Sequence, residues 1–251
     1  MSQTAVAPSK PGKSLKSGLQ QLLAFGSLIL LVVVFSLASS NFFQFSNIVG
    51  ILLSTAVIGV LALGATFVII TGGIDLSIGT VMTLCSVMTG VFITVWGLPV
   101  PVGILGGLLT GALCGLLSGV TVARMNIPPF IATLAMMMIA KGLALVISGA
   151  KPIYFTDTPV FTKISQGSLL GDLIPGFDIP NAVLVFFLVA IGGSLLLSRT
   201  IVGRYNFAIG SNEEATRLSG VNVRKWKVLI YTITGLFTGI AGVLMASRLN
   251  S

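Results

Sequence analysis

Residues 48–96 read IVGILLSTAVIGVLALGATFVIITGGIDLSIGTVMTLCSVMTGVFITVW, and the only charged side chain among them is Asp75. Two apolar runs, 48–71 and 78–96, are separated by a short interruption containing two adjacent glycines and that acid. Each run is close to the ~20 residues an α-helix needs to cross a hydrocarbon core of about 30 Å. Neither alternates with period two, so neither reads as a half-buried strand.

Working outward, the same pattern fills the chain. Apolar segments can be drawn at roughly 19–38, 48–71, 78–96, 100–123, 128–149, 180–198 and 228–247. Of the 251 residues, 55% are hydrophobic and only 8% charged, and the mean hydropathy is +1.06. A soluble domain carries about a quarter charged residues, so this chain cannot cover a water-facing surface. The expected fold is all-α, a polytopic transmembrane helix bundle with about seven spans, because lipid requires backbone groups to be satisfied within each segment.

The placement of charge orients the bundle. With the N-terminus in the cytoplasm, the inner segments hold Lys10, Lys13, Lys16, Arg124, Arg199, Arg204, Arg217, Arg224, Lys225 and Lys227, ten of the fourteen basic residues. Lys151, Lys163 and Arg248 fall outside and Lys141 within the fifth span. This bias predicts a cytoplasmic N-terminus. Residues 1–18 read as a disordered cytoplasmic tail, 19–251 as the membrane domain, 150–179 as an outer loop and 199–227 as a cytoplasmic loop. The net charge of +8 is scattered at membrane edges rather than arranged in a basic stripe, which argues against nucleic-acid binding.

Catalytic chemistry is poorly served. There is no histidine, so a Ser-His-Asp or Cys-His set is unavailable. Cys85 and Cys114 both lie in apolar runs and read as small packing residues; no metal site is expected. Gly12-Lys13-Ser14 resembles the end of a phosphate-binding loop, but Ala7 stands where the first glycine is needed. In the fourth span Gly103, Gly107, Gly111, Gly115 and Gly119 recur every four residues, and the seventh carries Gly235, Gly239 and Gly242. Such ridges let helices approach closely in lipid and read as packing, not as a site.

Two segments depart from plain spans. Thr71-Gly72-Gly73-Ile74-Asp75-Leu76-Ser77 is either a tight inner turn in which Asp75 caps the next helix, or a helix break at which Asp75 and exposed backbone line a polar path. The second is the loop 199–227. Asn212 suits an N-cap, Glu213 and Glu214 the positive end of a helix dipole, Arg217 the other end, and Gly220 a left-handed C-cap. A helix of about two turns is predicted there, suited to docking a partner.

At these residues the chain resembles the permease subunits of ABC importers for monosaccharides, the ribose, arabinose, xylose and galactose group. Glu214-Ala215-Thr216-Arg217-Leu218-Ser219-Gly220 looks like the E-A-A-x-x-x-G signature of importer permeases, with Thr216 in place of the second alanine. Ser40-Asn41-Phe42-Phe43, the run 71–77 and Phe130-Ile131-Ala132-Thr133-Leu134 are also similar to family motifs.

The resemblance implies a multi-pass protein of the bacterial plasma (inner) membrane, forming the translocation path for a monosaccharide. It implies a second permease subunit (as homodimer or heterodimer), a cytoplasmic ATP-binding subunit that carries ATP-Mg, and an external sugar-binding protein. The chain itself is expected to hold no cofactor and to be no enzyme. The resemblance assigns the ATPase contact to Gly203, Arg204, Asn212, Glu213, Glu214, Ala215, Thr216, Arg217 and Gly220, and the path to Thr71, Gly72, Gly73, Asp75 and Ser77. Family members typically continue with further spans after the seventh, so the chain is expected to be truncated at its C-terminus. Other readings stay open: a permease for a nucleoside or branched-chain amino acid, a secondary transporter using Asp75 and Lys141, or an inactive fragment. Lys141 otherwise snorkels or pairs locally.

Overall fold

A backbone in lipid has no water to bond to, so each apolar run should close its own hydrogen bonds. The computed structural model describes residues 15–156, 158–173 and 178–250, and among them every regular element is helical. The order is α1 Leu15–Ala38, α2 Phe45–Ile70, α3 Ile78–Gly90 continued by a π-helical turn Val91–Val95, α4 Val100–Arg124, α5 Pro129–Ser148, α6 Pro159–Gln166, α7 Leu169–Leu173, α8 Asn181–Arg199, α9 Ile201–Ser211, α10 Glu213–Leu218 and α11 Val223–Leu249. Among the described residues, six stretches are long and apolar enough to cross a membrane: α2, Ile78–Val95, α4, α5, α8 and α11; within α1, Phe25–Ala38 is a shorter apolar stretch. The protein is a polytopic helical membrane bundle.

Helix α1 begins at Leu15, so Leu15–Gly18 belong to it and not to the tail expected over 1–18. Leu, Lys and Ser continue the helix one turn beyond the apolar run without strain. Residues 1–14 of that tail lie outside the described residues.

Two compact units are present, one ending at Ile48 and one starting at Val49. In the first, the Ser40–Phe43 motif makes a corner. Phe42 stacks on Phe35 at 6.2 Å and meets Phe43 edge-on at 5.0 Å. Asn47 Nδ2 donates to the Phe42 carbonyl at 2.8 Å, and Gln44 Nε2 to Asn41 Oδ1 at 2.7 Å.

The second unit is organised around α11. Of its apolar window 61% is buried, against 17% for α8, so α11 is the axis of the unit. Its glycines face those of α4. A Cβ on Gly111 would strike the Gly235 carbonyl, one on Gly235 would strike the Gly111 carbonyl, and one on Gly115 would strike the Tyr231 carbonyl. The two backbones touch, and only glycine permits this; the ridge is packing, as the spacing predicts. Side-chain bonds to backbone pin the neighbours of α11: Thr234 Oγ1 donates to the Gly64 carbonyl of α2 at 3.0 Å, and Ser86 Oγ of α3 to the Gly242 carbonyl at 2.7 Å.

Phe155 and helix α6 close over the end of α11. Phe155 and Phe161 are both buried, with ring centroids 4.3 Å apart. Ser247 Oγ donates to the Phe161 carbonyl at 2.7 Å and accepts from Ser165 N–H at 3.0 Å. Asn181 Oδ1 accepts from Leu169 N–H at 2.8 Å and its Nδ2 donates to the Lys163 carbonyl at 2.9 Å, tying α6 and α7 to the start of α8.

Candidate functional site

The connector 71–77 joins α2 to α3. Thr71 Oγ1 turns back to the Val68 carbonyl at 2.7 Å, and Gly72 takes a left-handed conformation at φ 76°, closing the helix end through a bond to the Ile69 carbonyl at 2.9 Å. That conformation is the reason for a glycine at 72. Gly73 has a different reason: it is buried, and a Cβ there would lie 2.9 Å from the Tyr231 hydroxyl.

Thr133, fully buried at the start of α5, grips the connector from the other side. Its hydroxyl accepts from Leu76 N–H at 3.2 Å and lies 3.3 Å from the Ile74 carbonyl. Asp75 Oδ1 accepts from both Ser77 N–H at 2.9 Å and Ser77 Oγ at 2.6 Å. The N-cap of α3 is Ser77, not Asp75, so Asp75 forms a local turn that sets up the cap from two residues upstream. Asp75 is only half-buried, which leaves its local turn compatible with a path-lining role.

Burial pushes the Asp75 carboxyl above the ordinary carboxylate range, and the two bonds from Ser77 only partly oppose this. A folded chain with a raised acid pKa holds a proton that the unfolded chain has lost, over the window between the ordinary value and the raised one. Stability therefore falls as pH rises through that window and levels off above it. Thermal unfolding in detergent from about pH 4 to about pH 8 should show this slope, and Asp75→Asn should flatten it. An unchanged slope in the variant would locate the titration elsewhere.

The second half of the site is built from 199–227. Thr200 caps α9, accepting from Val202 N–H at 3.2 Å. Gly203 is buried where a Cβ would strike the Leu197 carbonyl, so it makes the elbow between α8 and α9. Asn212 Oδ1 caps α10 by accepting from Ala215 N–H at 2.9 Å, and Gly220 takes φ 84° beyond its end. Helix α10 is six residues long. Glu213, Glu214, Ala215, Arg217 and Gly220 are exposed, as is Arg204 on α9, while Thr216 is buried. Glu214 and Arg217 pair at 2.6 Å with more than half of each side chain exposed. Such a pair holds little energy of its own and is free to exchange for a partner. Lys227 of α11, 19% exposed, binds Glu213 at 2.6 Å.

The two halves are joined by Thr216, which the resemblance assigned to the ATPase contact, and by Asn206, which the sequence reading did not single out. Thr216 Oγ1 shares its one proton between the Ala208 carbonyl of α9 at 2.9 Å and the Asn212 carbonyl at 2.8 Å, holding α10 against the end of α9. Asn206 of α9, fully buried, donates from Nδ2 to the Phe67 carbonyl of α2 at 3.1 Å, while its Oδ1 has no partner among the described residues. A Cβ on Gly210 would strike the Ile70 carbonyl. A continuous path of contact therefore runs from exposed α10 through α9 to the end of α2, where the connector begins. Asn206 could have been found as the polar member of the buried row Gly203, Asn206, Ile209. Leu218, 79% exposed, is an apolar side chain at the tip of α10. Among the described residues no group of acids and cysteines is placed to hold a metal. The arrangement can transmit a displacement, not carry out acid–base chemistry.

Over residues 47–251 the chain matches the family described as branched-chain amino acid transport system / permease component. It is similar to the ribose import permease of Haemophilus influenzae, 36% identical over 231 residues that cover 91% of this chain and 69% of that one. The ribose import permease of Escherichia coli K12 is 34% identical over 241 residues, 94% of this chain and 72% of that one. The L-arabinose ABC transporter permease of Azospirillum brasilense is 33% identical over 250 residues, 98% and 70%. No solved structure matches. With four fifths of its length inside the family match and both halves of the site within it, the chain belongs to the branched-chain amino acid transport system permease family.

Proposed function

We propose that the chain forms the membrane path of an ATP-driven importer for a monosaccharide, with α10 as the contact for a separate ATP-binding subunit. One observation carries the coupling role: α10 presents Glu214, Arg217 and Leu218 outward while Thr216 and Asn206 bind it through α9 to the connector. The sugar class rests on the relatives, named for ribose, fructose, L-arabinose and galactofuranose. The chain is a transport subunit and carries out no hydrolysis itself; ATP-Mg belongs to the partner. An external binding protein delivers the sugar, and a second permease subunit completes the path.

The ATPase can drive transport only if it binds the two permease states with different affinity. A short helix fastened to α9 by Thr216, with α9 fastened to α2 by the buried Asn206, moves with its neighbours, so closure of the ATPase around α10 is passed to the end of α2 and the connector. Replacing Glu214 with Lys breaks the pair with Arg217 and puts two like charges one turn apart on α10. Sugar uptake in proteoliposomes should fall about tenfold or more, while membrane insertion is kept, because charge reversal at a contact costs several kcal/mol. Normal uptake by Glu214→Lys would remove α10 from the contact. Uptake that follows an ion gradient without ATP would overturn the importer reading as a whole.

A further inference from the structure

Lys141 lies inside α5, seven residues before its end at Ser148 and twelve after its start at Pro129, or about 10 Å and about 18 Å along the helix. It is exposed, and it makes no hydrogen bond or ion pair with any described residue; the ion pairs present are Arg217–Glu214 and Lys227–Glu213. A lone ammonium at this depth is costly against lipid tails, and such residues face water-filled paths or binding sites.

Lys141 shares a mostly apolar cleft with three hydroxyls. The cleft, open and of about 370 Å³ between α3 and α5, is lined also by Val87, Ala144 and Leu145 and by the hydroxyl residues Thr80, Thr83 and Ser148. The three hydroxyls direct their protons at their own helices: Thr80 Oγ1 to the Ser77 carbonyl at 3.0 Å, Thr83 Oγ1 to the Gly79 carbonyl at 3.1 Å, and Ser148 Oγ to the Leu145 carbonyl at 3.5 Å. Their lone pairs remain as acceptors. The cleft thus combines one strong donor of three protons with several neutral acceptors, and its volume falls in the ordinary range of small-ligand sites. A sugar hydroxyl both donates and accepts, so a vicinal diol satisfies both kinds of group at once. An anion would satisfy Lys141 and oppose the acceptors. Thr80 stands three residues beyond Ser77, near the end of α3 that the Asp75 connector sets.

Resting on the importer reading above, we propose that this α3–α5 cleft is the sugar-contacting face of the path, with Lys141 donating to sugar hydroxyls and Thr80, Thr83 and Ser148 accepting from them.

The test uses the assembled importer in proteoliposomes. Single cysteines at Lys141 and Ser148, and at Ile139 and Leu143 as exposed positions on the other side of the same helix, are treated with a membrane-impermeant methanethiosulfonate. Native Cys85 and Cys114 are buried and give a low background. Lys141→Cys and Ser148→Cys should react at least about tenfold faster than Ile139→Cys and Leu143→Cys. Uptake of D-ribose, L-arabinose and D-fructose is then measured together with ATP hydrolysis. Lys141→Met should lower sugar imported per ATP by about tenfold, the usual weight of a hydrogen bond from a charged group, with ATPase binding unchanged; Lys141→Arg should recover most of the loss. Equal labelling at 139, 141 and 143 overturns the aqueous face, and normal uptake by Lys141→Met overturns the sugar contact. If the cysteine variants label as expected but the native assembly imports none of the three sugars, the sugar reading itself fails and takes this assignment with it.

Discussion

Gly235→Leu is expected to leave no folded protein in the membrane, the largest effect of any single substitution considered. A Cβ at 235 alone would strike the Gly111 carbonyl and come within 3.1 Å of the Gly115 Cα. Both obstacles are backbone, so no rotamer change relieves them. The helices would have to part along their shared length, opening the bonds that Thr234 and Ser86 make between α11 and its neighbours. Overpacking a core commonly costs about 1–3 kcal/mol; here it falls on the axis of the unit, where close backbone approach is the main source of association in lipid. Gly142→Ala is the matched control. Nothing lies within 4 Å of a Cβ there, and a helix-interior alanine should add up to about 1 kcal/mol. Size-exclusion profiles after mild detergent extraction distinguish the two: a folded peak for Gly142→Ala, and aggregate or no peak for Gly235→Leu. A folded Gly235→Leu would mean that the glycine seam does not hold the bundle together.

The seam was legible in the sequence because it obeys a period. Glycine every fourth residue in α4 falls on one face of a helix, and that regularity has few explanations other than a neighbour. The spans were legible for a similar reason, since length and hydrophobicity are summed over about twenty residues and survive local exceptions. The π turn at Val91–Val95 was not legible, because one extra residue in a turn leaves no mark on an apolar run. Helices α6 and α7 were hidden in a loop with prolines at both ends. Only the structure shows that Pro159 stands in the first turn of α6, where its missing N–H is harmless.

The site divides in the same way. Caps are local, so Asn212 and Gly220 could be assigned from neighbours in the chain, and the structure places both at the ends of α10. The assignment of Asp75 was half complete. Its carboxylate does act locally, but through Ser77, which occupies the cap position. What could not be read was any bond between distant residues. Thr133 reaches Leu76 across 57 positions and Asn206 reaches Phe67 across 139. Neither residue type is unusual in a helix, and their importance lies in what stands opposite them.

Asn206→Leu is expected to separate ATP hydrolysis from uptake more completely than any change on the exposed face of α10. The native amide has one anchor, the Phe67 carbonyl, and one oxygen with no partner, at a position without solvent. Leucine removes the unpartnered Asn206 oxygen but strands the buried Phe67 carbonyl, and each such acceptor is unfavourable by about 1–3 kcal/mol, so the two effects oppose and the net change in stability should be small. Transmission should suffer, because the bond between α9 and the end of α2 is gone while Thr216 still fastens α10 to α9. The ATPase would dock and hydrolyse ATP, and the connector would no longer follow. Coupling free energies of about 1–3 kcal/mol correspond to about 5–150-fold, which sets the expected fall in sugar imported per ATP. Thr216→Val, which cuts the other bond, should give the same phenotype. The double variant should then be no worse than either single one, because the two bonds lie in series along one path. Losses that multiply in the double variant would show two parallel routes from α10 into the bundle. A destabilised chain with an unchanged ratio of uptake to hydrolysis would make Asn206 a packing residue and leave Gly210 against Ile70 as the transmitting contact.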